Sequence, residues 1–317
     1  MRQASSARRP FALLGGALVL LLVTVAFGSR PLASSAAQGG DGLFAGVEPA
    51  ELASLTVVVG GLDTRTPDEP ENTDVLLIAR VDLVNRTVRA VSIPRDLYVL
   101  IPGVGYDKIT RAYDYGSAPA GDDPRAGMDL MRATIETNFG IATDAVVLTT
   151  FEGFMAVVDA VGGIDVVNPY DVYDAQYPTF DYGYKEIYYP AGPLHLSGEE
   201  ALEFSRTRHQ DGDDGRVMRQ QLVLRALLDR ITDPAIAADL PVLVAATRDA
   251  VYTDLSTAQM LALALAAPDF SNDNVVFGTI TPYLWAGYDP YGAWIYQGDW
   301  SQLPGLVAGF LDGALAL

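Results

Sequence analysis

Four of the fifteen arginines that follow residue 30 fall within fourteen positions, at Arg206, Arg208, Arg216 and Arg219. The segment reads Arg206-Thr-Arg-His-Gln-Asp-Gly-Asp-Asp-Gly-Arg216-Val-Met-Arg-Gln220. Guanidinium forks match phosphate oxygens in bidentate geometry better than a lysine ammonium does. Arg216, Arg219 and Gln220 are spaced i, i+3, i+4 and therefore share one face of a helix. In the first turns of that helix, free N–H groups and the macrodipole also favour an anion. Two outcomes follow from this pattern. The arginines either cradle an anionic ligand or pair with Glu199, Glu200, Glu203, Asp211, Asp213 and Asp214 in a structural network.

A second set of polar residues sits at predicted strand ends. Gly60-Gly-Leu-Asp63-Thr-Arg65 follows a short β-branched run, so Asp63 lies at the carboxyl end of a strand, where α/β sheets commonly hold ligands. Asp74 immediately precedes the next strand. Two carboxylates suit a hard cation such as Mg²⁺, which keeps waters and bridges to substrate phosphates. Either Asp alone equally suits a turn or cap. Ser92-Ile-Pro-Arg95-Asp96 holds an arginine at a strand end, with Asp96 available to orient it or to form a plain surface ion pair.

Several chemistries are excluded. With no cysteine there is no thiol nucleophile, disulfide or cysteine metal site. Only His195 and His209 are present, too few for a His-rich zinc site, and no Gly-x-Ser-x-Gly elbow occurs. Gly103-Val-Gly105 lacks the third glycine of a dinucleotide fingerprint. His195, in Pro-Leu-His-Leu-Ser, reads as a packing residue in a loop or helix entry.

The positioning elements follow from hydrophobic periodicity. Strands are predicted over 55–59, 75–81, 87–93, 145–149, 164–167 and 275–280, the first ending in a turn at Gly60-Gly61. Asn85-Arg86 joins two of them as a hairpin. Helices are predicted over 128–139, capped by Gly140, and over 151–161, closed by Gly162-Gly163. Ser197 and Glu200 form a capping box for a helix over 197–205. A further helix runs from Asp213 or Asp214 to Ile231 with Val217, Leu224, Leu228 and Ile231 on its buried stripe. Residues 258–267 are again helical. This alternation predicts a mainly α/β layered domain. Tyr170–Tyr189 holds seven of the 16 tyrosines at irregular spacing and reads as a long ordered loop. It either packs aromatic rings over the core edge or offers a surface to sugar rings or a lipid tail.

The amino terminus carries Arg2, Arg8 and Arg9 before Pro10–Ser29, an uncharged, Leu/Val/Ala-rich stretch of 20 residues closed by Arg30. That length crosses a bilayer of about 30 Å, and the arginines orient it with the remainder outside the cytoplasm. A cleaved signal peptide is the competing reading, with Ala33–Ala37 as the processing site. The organisation expected is a cytoplasmic 1–9, a signal-anchor at 10–29, a flexible linker at 30–52, a main domain at 53–300 and a closing helix at 301–317. Beyond the anchor, 17 basic side chains face 40 acidic ones, near −23. Such a surface excludes a nucleic-acid binder, which needs a basic face. An arginine cluster inside it is a local positive well for a specific anion.

In this order the motifs resemble those of the LytR–CpsA–Psr family of cell-wall glycopolymer transferases. The matching pieces are Val59-Gly-Gly-Leu-Asp63-Thr-Arg65, Thr73-Asp74, Ser92-Ile-Pro-Arg95-Asp96-Leu-Tyr-Val99, and Ile101-Pro-Gly103 with Asp107-Lys108-Ile109. Val158-Asp-Ala-Val-Gly-Gly-Ile-Asp-Val166, Leu196-Ser-Gly-Glu-Glu-Ala-Leu-Glu-Phe-Ser-Arg206-Thr-Arg208-His209, and Gly212-Asp213-Asp-Gly-Arg216-Val-Met-Arg219-Gln220-Gln221 complete the set. The chain has Asn72-Thr-Asp74-Val75 where the family usually has Arg-Ser-Asp-Thr, and Lys108-Ile-Thr110 where it has Lys-Ile-Asn.

The resemblance implies a three-layer α/β/α domain with a central mixed sheet and a deep apolar lipid pocket. It implies transfer of a polyprenyl-diphosphate-linked glycan to peptidoglycan or another wall acceptor, with polyprenyl phosphate leaving. Asp63 and Asp74 would hold Mg²⁺. Arg95, Lys108, Arg206, Arg208, Arg216, Arg219 and Gln220 would surround the diphosphate, and Asp213 matches a polar pocket residue. Arg95 is placed in the catalytic set, and Asp74 or Asp213 is the candidate for taking the acceptor's proton. The alternatives are a non-catalytic envelope protein that binds prenyl-phosphate lipids and a lipid-diphosphate hydrolase.

Overall fold

Leu55, Val57, Val58, Val59 and Leu62 are all buried along one strand, so both of its faces are covered and it belongs at the centre of a sheet. The computed structural model describes residues 48, 50–63, 71–179, 183–231, 251–266, 269–270 and 272–317. Residues 1–9, the expected anchor at 10–29, nearly all of the linker and Arg65 lie outside these residues. Among the described residues no helix is long and apolar enough to cross a membrane.

Strands β1 (Ser54–Asp63), β2 (Asn72–Asp82) and β3 (Thr87–Ser92) form an antiparallel meander. The short pair β4 (Tyr98–Ile101) and β5 (Gly105–Lys108) follows, then helices α1 (Ala112–Ser117) and α2 (Pro124–Phe139). Strand β6 (Ala145–Thr150) leads directly into α3 (Phe151–Ala160) and β7 (Ile164–Asn168). Strands β8 (Val172–Pro178) and β9 (Tyr184–Tyr189) pair as a hairpin, and β10 (Gly192–Leu196) returns along β7. The chain continues through α4 (Gly198–Arg206), α5 (Gly212–Ile231), β11 (Val251–Thr253), α6 (Thr257–Ala266) and β12 (Val275–Thr279). A last hairpin, β13 (Leu284–Tyr288) and β14 (Trp294–Gly298), precedes α7 (Leu303–Leu311).

The central sheet is mixed, in the order β11-β6-β1-β2-β3-β12, with β1–β6 and β3–β12 parallel. Helices cover both faces. On one, Met131 and Ile135 of α2 and Val307 and Phe310 of α7 pack against Val58, Leu62 and Ile78. On the other, Met260 and Leu263 of α6 pack against Val57, Val59 and Ala79, with Leu224 of α5 against the same cluster. A third cluster joins α3, α4 and α5 to the β7–β10 and β8–β9 pairs.

Four features differ from the sequence reading. Gly60 and Gly61 do not turn the chain; β1 runs through them to Asp63, with a bulge after Gly61. A Cβ on Gly60 would come within 2.6 Å of Leu148 and 2.9 Å of Thr73. The glycine therefore serves close packing between strands. Second, the tyrosine-rich stretch contains the β8–β9 hairpin. A register shift between Asp174 and Tyr177 breaks the period-2 pattern that would have revealed it. Tyr177 and Tyr189 enter the core, whereas Tyr173, Tyr184 and Tyr188 are exposed. Third, α5 buries Arg219, Val223, Ala226 and Leu227, with Leu224 only at the margin; the side chains of Val217, Leu228 and Ile231 lie outside the described residues. His195 lies in β10, its Nδ1 2.8 Å from Asp165, not in a loop or helix entry.

Gly60→Ala is expected to destabilise the fold by about 1–3 kcal/mol through overpacking, read as a lower denaturant midpoint with an unchanged slope.

Candidate functional site

The parallel strands β1 and β6 end side by side, with Gly61 opposite Thr149 and Leu62 opposite Thr150. Thr150 caps α3, its hydroxyl accepting from the Gly153 N–H at 3.1 Å, so Phe151 begins the helix at the sheet's edge. An apolar cavity opens here between the sheet and the three helices. Val59, Gly61, Val75 and Leu77 form its floor, while Phe154, Leu202, Val223 and Leu227 form its walls. Gly61 leaves that floor free of a side chain.

A polar chamber adjoins this cavity. Val75, Phe151, Arg206 and Gln220 line both, so the two are continuous. Around the chamber stand Asp74, Arg95, Arg208 and Arg216. It is completed by Asp174, Tyr177 and His209.

Each cation is held differently. Arg206, in the last turn of α4, lies 4.2 Å over the Phe151 ring and donates to the Tyr177 hydroxyl at 3.3 Å. Stacking of this kind orients a guanidinium while leaving donors available. Arg95 donates to Asp74 Oδ1 at 2.5 Å and sits 3.5 Å from Asp96 Oδ2. Burial alone would lower the Arg95 pKa, but these carboxylates outweigh it and raise it. Lys108 lies behind this pair, its Nζ donating to Asp96 Oδ1 at 2.6 Å. It does not line the chamber. Asp63 pairs in register with Asn72, two residues from Asp74 on the neighbouring strand. Asp213 occupies the first turn of α5, and its side chain lies outside the described residues.

Arg219 departs from the expectation of a diphosphate ligand. Its side chain is 0% exposed. Nε donates to the Phe204 carbonyl at 2.8 Å, and the two terminal nitrogens bond to the Thr207 carbonyl and to both oxygens of Asp211. Although i, i+3, i+4 spacing puts Arg216, Arg219 and Gln220 on neighbouring positions, Arg219 points under the 204–211 segment and is enclosed there. The arginine cluster thus divides: Arg219 belongs to a structural network, while Arg206, Arg208 and Arg216 line the chamber. Asp211 also accepts from the Tyr170 hydroxyl at 2.9 Å. Burial would raise its pKa, yet the bonds from Arg219 and Tyr170 bring it below the ordinary value.

Asp174, Tyr177 and His209 were not singled out from sequence. Asp174 is 1% exposed and accepts from Thr207 Oγ1 at 2.6 Å, the Gln176 N–H at 2.9 Å and His209 Nδ1 at 2.7 Å. Desolvation pushes its pKa up, but these donors prevail and hold it below the usual carboxylate range. The missing signal was the β8 bulge, which hides the inward position of Asp174.

The sequence pattern of the LytR_cpsA_psr family matches residues 41–305, most of the chain. The chain belongs to this family. TagV of Bacillus subtilis strain 168, named a polyisoprenyl-teichoic acid–peptidoglycan teichoic acid transferase, is 33% identical over 224 residues, covering 69% of this chain and 54% of that protein. TagU of Bacillus mycoides strain KBAB4, of the same description, is 32% identical over 221 residues, covering 68% and 66%. The match therefore spans between about half and two thirds of these relatives. Among solved structures, B. subtilis TagV superposes with a TM-score of 0.64 at 28% identity, covering 82% of this chain and 97% of that one. TagT bound to LI-WTA superposes at 0.61 with 29% identity, covering 83% and 91%.

Arg219→Ala is expected to cost about 3 kcal/mol or more, because Asp211 and two carbonyls lose a buried partner. Equilibrium unfolding measures this; a change below about 0.5 kcal/mol contradicts the structural role.

Proposed function

We propose that this chain transfers a polyprenyl-diphosphate-linked glycopolymer to peptidoglycan or another cell-wall acceptor, forming a phosphodiester bond and releasing polyprenyl phosphate. The observation that carries this reading is the continuity of the two chambers. An apolar cavity opens, through Val75, Phe151 and Gln220, onto a mouth lined by Arg95, Arg206, Arg208 and Arg216. A lipid diphosphate has that same division, an apolar chain joined to a compact dianion. The transferase activity for which TagV and TagU are named, and the LI-WTA bound by TagT, support the same assignment. The expected 10–29 anchor would tether the domain at the outer face of the membrane, where such a donor resides.

Asp63 and Asp74 sit on the two adjacent central strands, near the same end of the sheet, and their carboxylates suit Mg²⁺. Among the described residues no group of three or more acidic, His or Cys side chains could hold a metal. Two carboxylates on neighbouring strands suit an ion that takes its other ligands from water and the substrate's phosphates. Mg²⁺ so held would neutralise the diphosphate and favour departure of the leaving phosphate.

The chain's own residues carry the remainder. Arg206, pinned by Phe151 and Tyr177, and Arg208 and Arg216 bind phosphate oxygens whose charge increases in the transition state. Arg95 is bonded to Asp74 and so positions that carboxylate while offering its other donors to the mouth. Lys108 and Asp96 act behind Arg95, fixing its geometry. The apolar cavity holds the prenyl chain and sets where the phosphorus stands relative to the arginines.

Incubation of the full chain with a prenyl-diphosphate glycan, Mg²⁺ and soluble peptidoglycan fragments is expected to yield a phosphodiester-linked product by mass spectrometry. Arg208→Ala and Arg216→Ala should each weaken donor binding about tenfold or more, as loss of a charge-assisted bond requires. Donor binding without product supports a non-catalytic lipid-binding role, and free phosphorylated glycan without acceptor supports a hydrolase.

A further inference from the structure

We propose that His209, oriented by the buried carboxylate of Asp174, is the base that takes the proton from the attacking acceptor hydroxyl. This rests on the transferase reading above and names a residue for a role that the sequence left between Asp74 and Asp213.

The geometry is that of a base with its orienter. Asp174 is closed to solvent, and both its oxygens are occupied: Oδ1 by the Gln176 N–H and His209 Nδ1, Oδ2 by the Thr207 hydroxyl. An ionised carboxylate only accepts, so His209 must donate from Nδ1. In the neutral ring that leaves the lone pair on Nε2. The imidazole itself is 60% exposed and lines the phosphate chamber beside Arg208. A buried acidic residue holding an accessible imidazole in one tautomer is the arrangement that activates hydroxyl nucleophiles elsewhere. Among the described residues no serine lines this chamber, and the nucleophile would be the acceptor sugar.

Asp74 is less suited to the task. Its Oδ1 already accepts the Arg95 guanidinium, so protonating Asp74 would break that ion pair. Protonated His209 would instead stand against Asp174, whose negative charge offsets that of the new imidazolium among Arg206, Arg208 and Arg216.

The step balances as follows. The acceptor oxygen bonds to the glycan-side phosphorus as its proton passes to Nε2. The bond from that phosphorus to the bridging oxygen breaks, and the electron pair leaves with polyprenyl phosphate. The proton is later released to water, restoring neutral His209.

The test uses the full chain, Mg²⁺, farnesyl-diphosphate-linked N-acetylglucosamine as donor and soluble peptidoglycan fragments as acceptor. His209→Ala should lower the transfer rate at saturating donor about 10²–10³-fold, the usual contribution of a general base. Donor affinity, measured separately, should stay within about threefold. Added imidazole should restore part of the lost rate. His209→Asn, whose amide can still donate to Asp174, should remain as slow as the alanine variant. A merely structural or phosphate-binding role would not behave this way. Near wild-type turnover in either variant overturns the inference, as does a loss of donor affinity parallel to the loss of rate with no response to imidazole. In both cases wild-type product formation leaves the transferase reading standing. Absence of product from the wild-type chain overturns both.

Discussion

The Arg219 guanidinium has no exposure to water, and the arrangement of the chamber depends on where it points. It makes four hydrogen bonds, to both oxygens of Asp211 and to the carbonyls of Phe204 and Thr207, so one side chain of α5 clamps the segment that follows α4. A buried cation is tolerated only when it is fully paired. That requirement makes the 204–211 path a matter of necessity, not of loop preference. Thr207 carries the constraint onward: its carbonyl meets Arg219 while its hydroxyl meets Asp174, which in turn holds His209. Gln210 adds a second tie, accepting from the Tyr173 N–H and donating to the Asp171 carbonyl. Two of the mouth's arginines, Arg206 and Arg208, and its histidine are thus set by a network rooted in Arg219, which belongs to the same sequence cluster but does not line the mouth.

Electrostatics explain why an acidic protein can hold such a mouth. The surplus of carboxylates is spread over a solvated exterior, where charges are screened within about 10 Å. Inside the chamber, Arg206, Arg208 and Arg216 act at short range and under partial burial, where their field on a bound anion is far less screened. Arginine outnumbers lysine 19 to 2, which fits bidentate recognition of phosphate better than general attraction. The lysine expected at the diphosphate, Lys108, is held against Asp96 instead and supports Arg95 from behind.

Much of the scaffold was legible because local rules and the fold agree. The Ser197–Glu200 capping box, the Gly140 cap of α2 and the apolar, β-branched runs of β2, β3 and β6 all lie where their residues place them. The family resemblance implied that Asp74 and Arg95 would meet the later arginines, and the chamber brings them together with Arg206, Arg208 and Arg216. What sequence could not convey depended on tertiary partners. Spacing grouped Arg219 with Arg216 and Gln220, but enclosure by the 204–211 segment decides its role. The β8 bulge disguised a strand as a tyrosine-rich loop and hid Asp174, and without Asp174 the histidine 35 positions later had no visible partner. Gly60-Gly61 read as a turn because the close approach of Leu148 is a contact between strands distant in sequence.

The central claim is that one amphiphilic ligand occupies both chambers at once, its chain in the apolar cavity and its phosphates at the arginines. A crystal structure of the full chain with a short prenyl diphosphate tests this most directly. The account predicts hydrocarbon density between Gly61, Phe154, Val223 and Leu227, with the diphosphate within hydrogen-bonding distance of Arg206, Arg208 and Arg216. A prenyl chain seated outside that cavity, or a diphosphate remote from those three guanidinium groups, would contradict it.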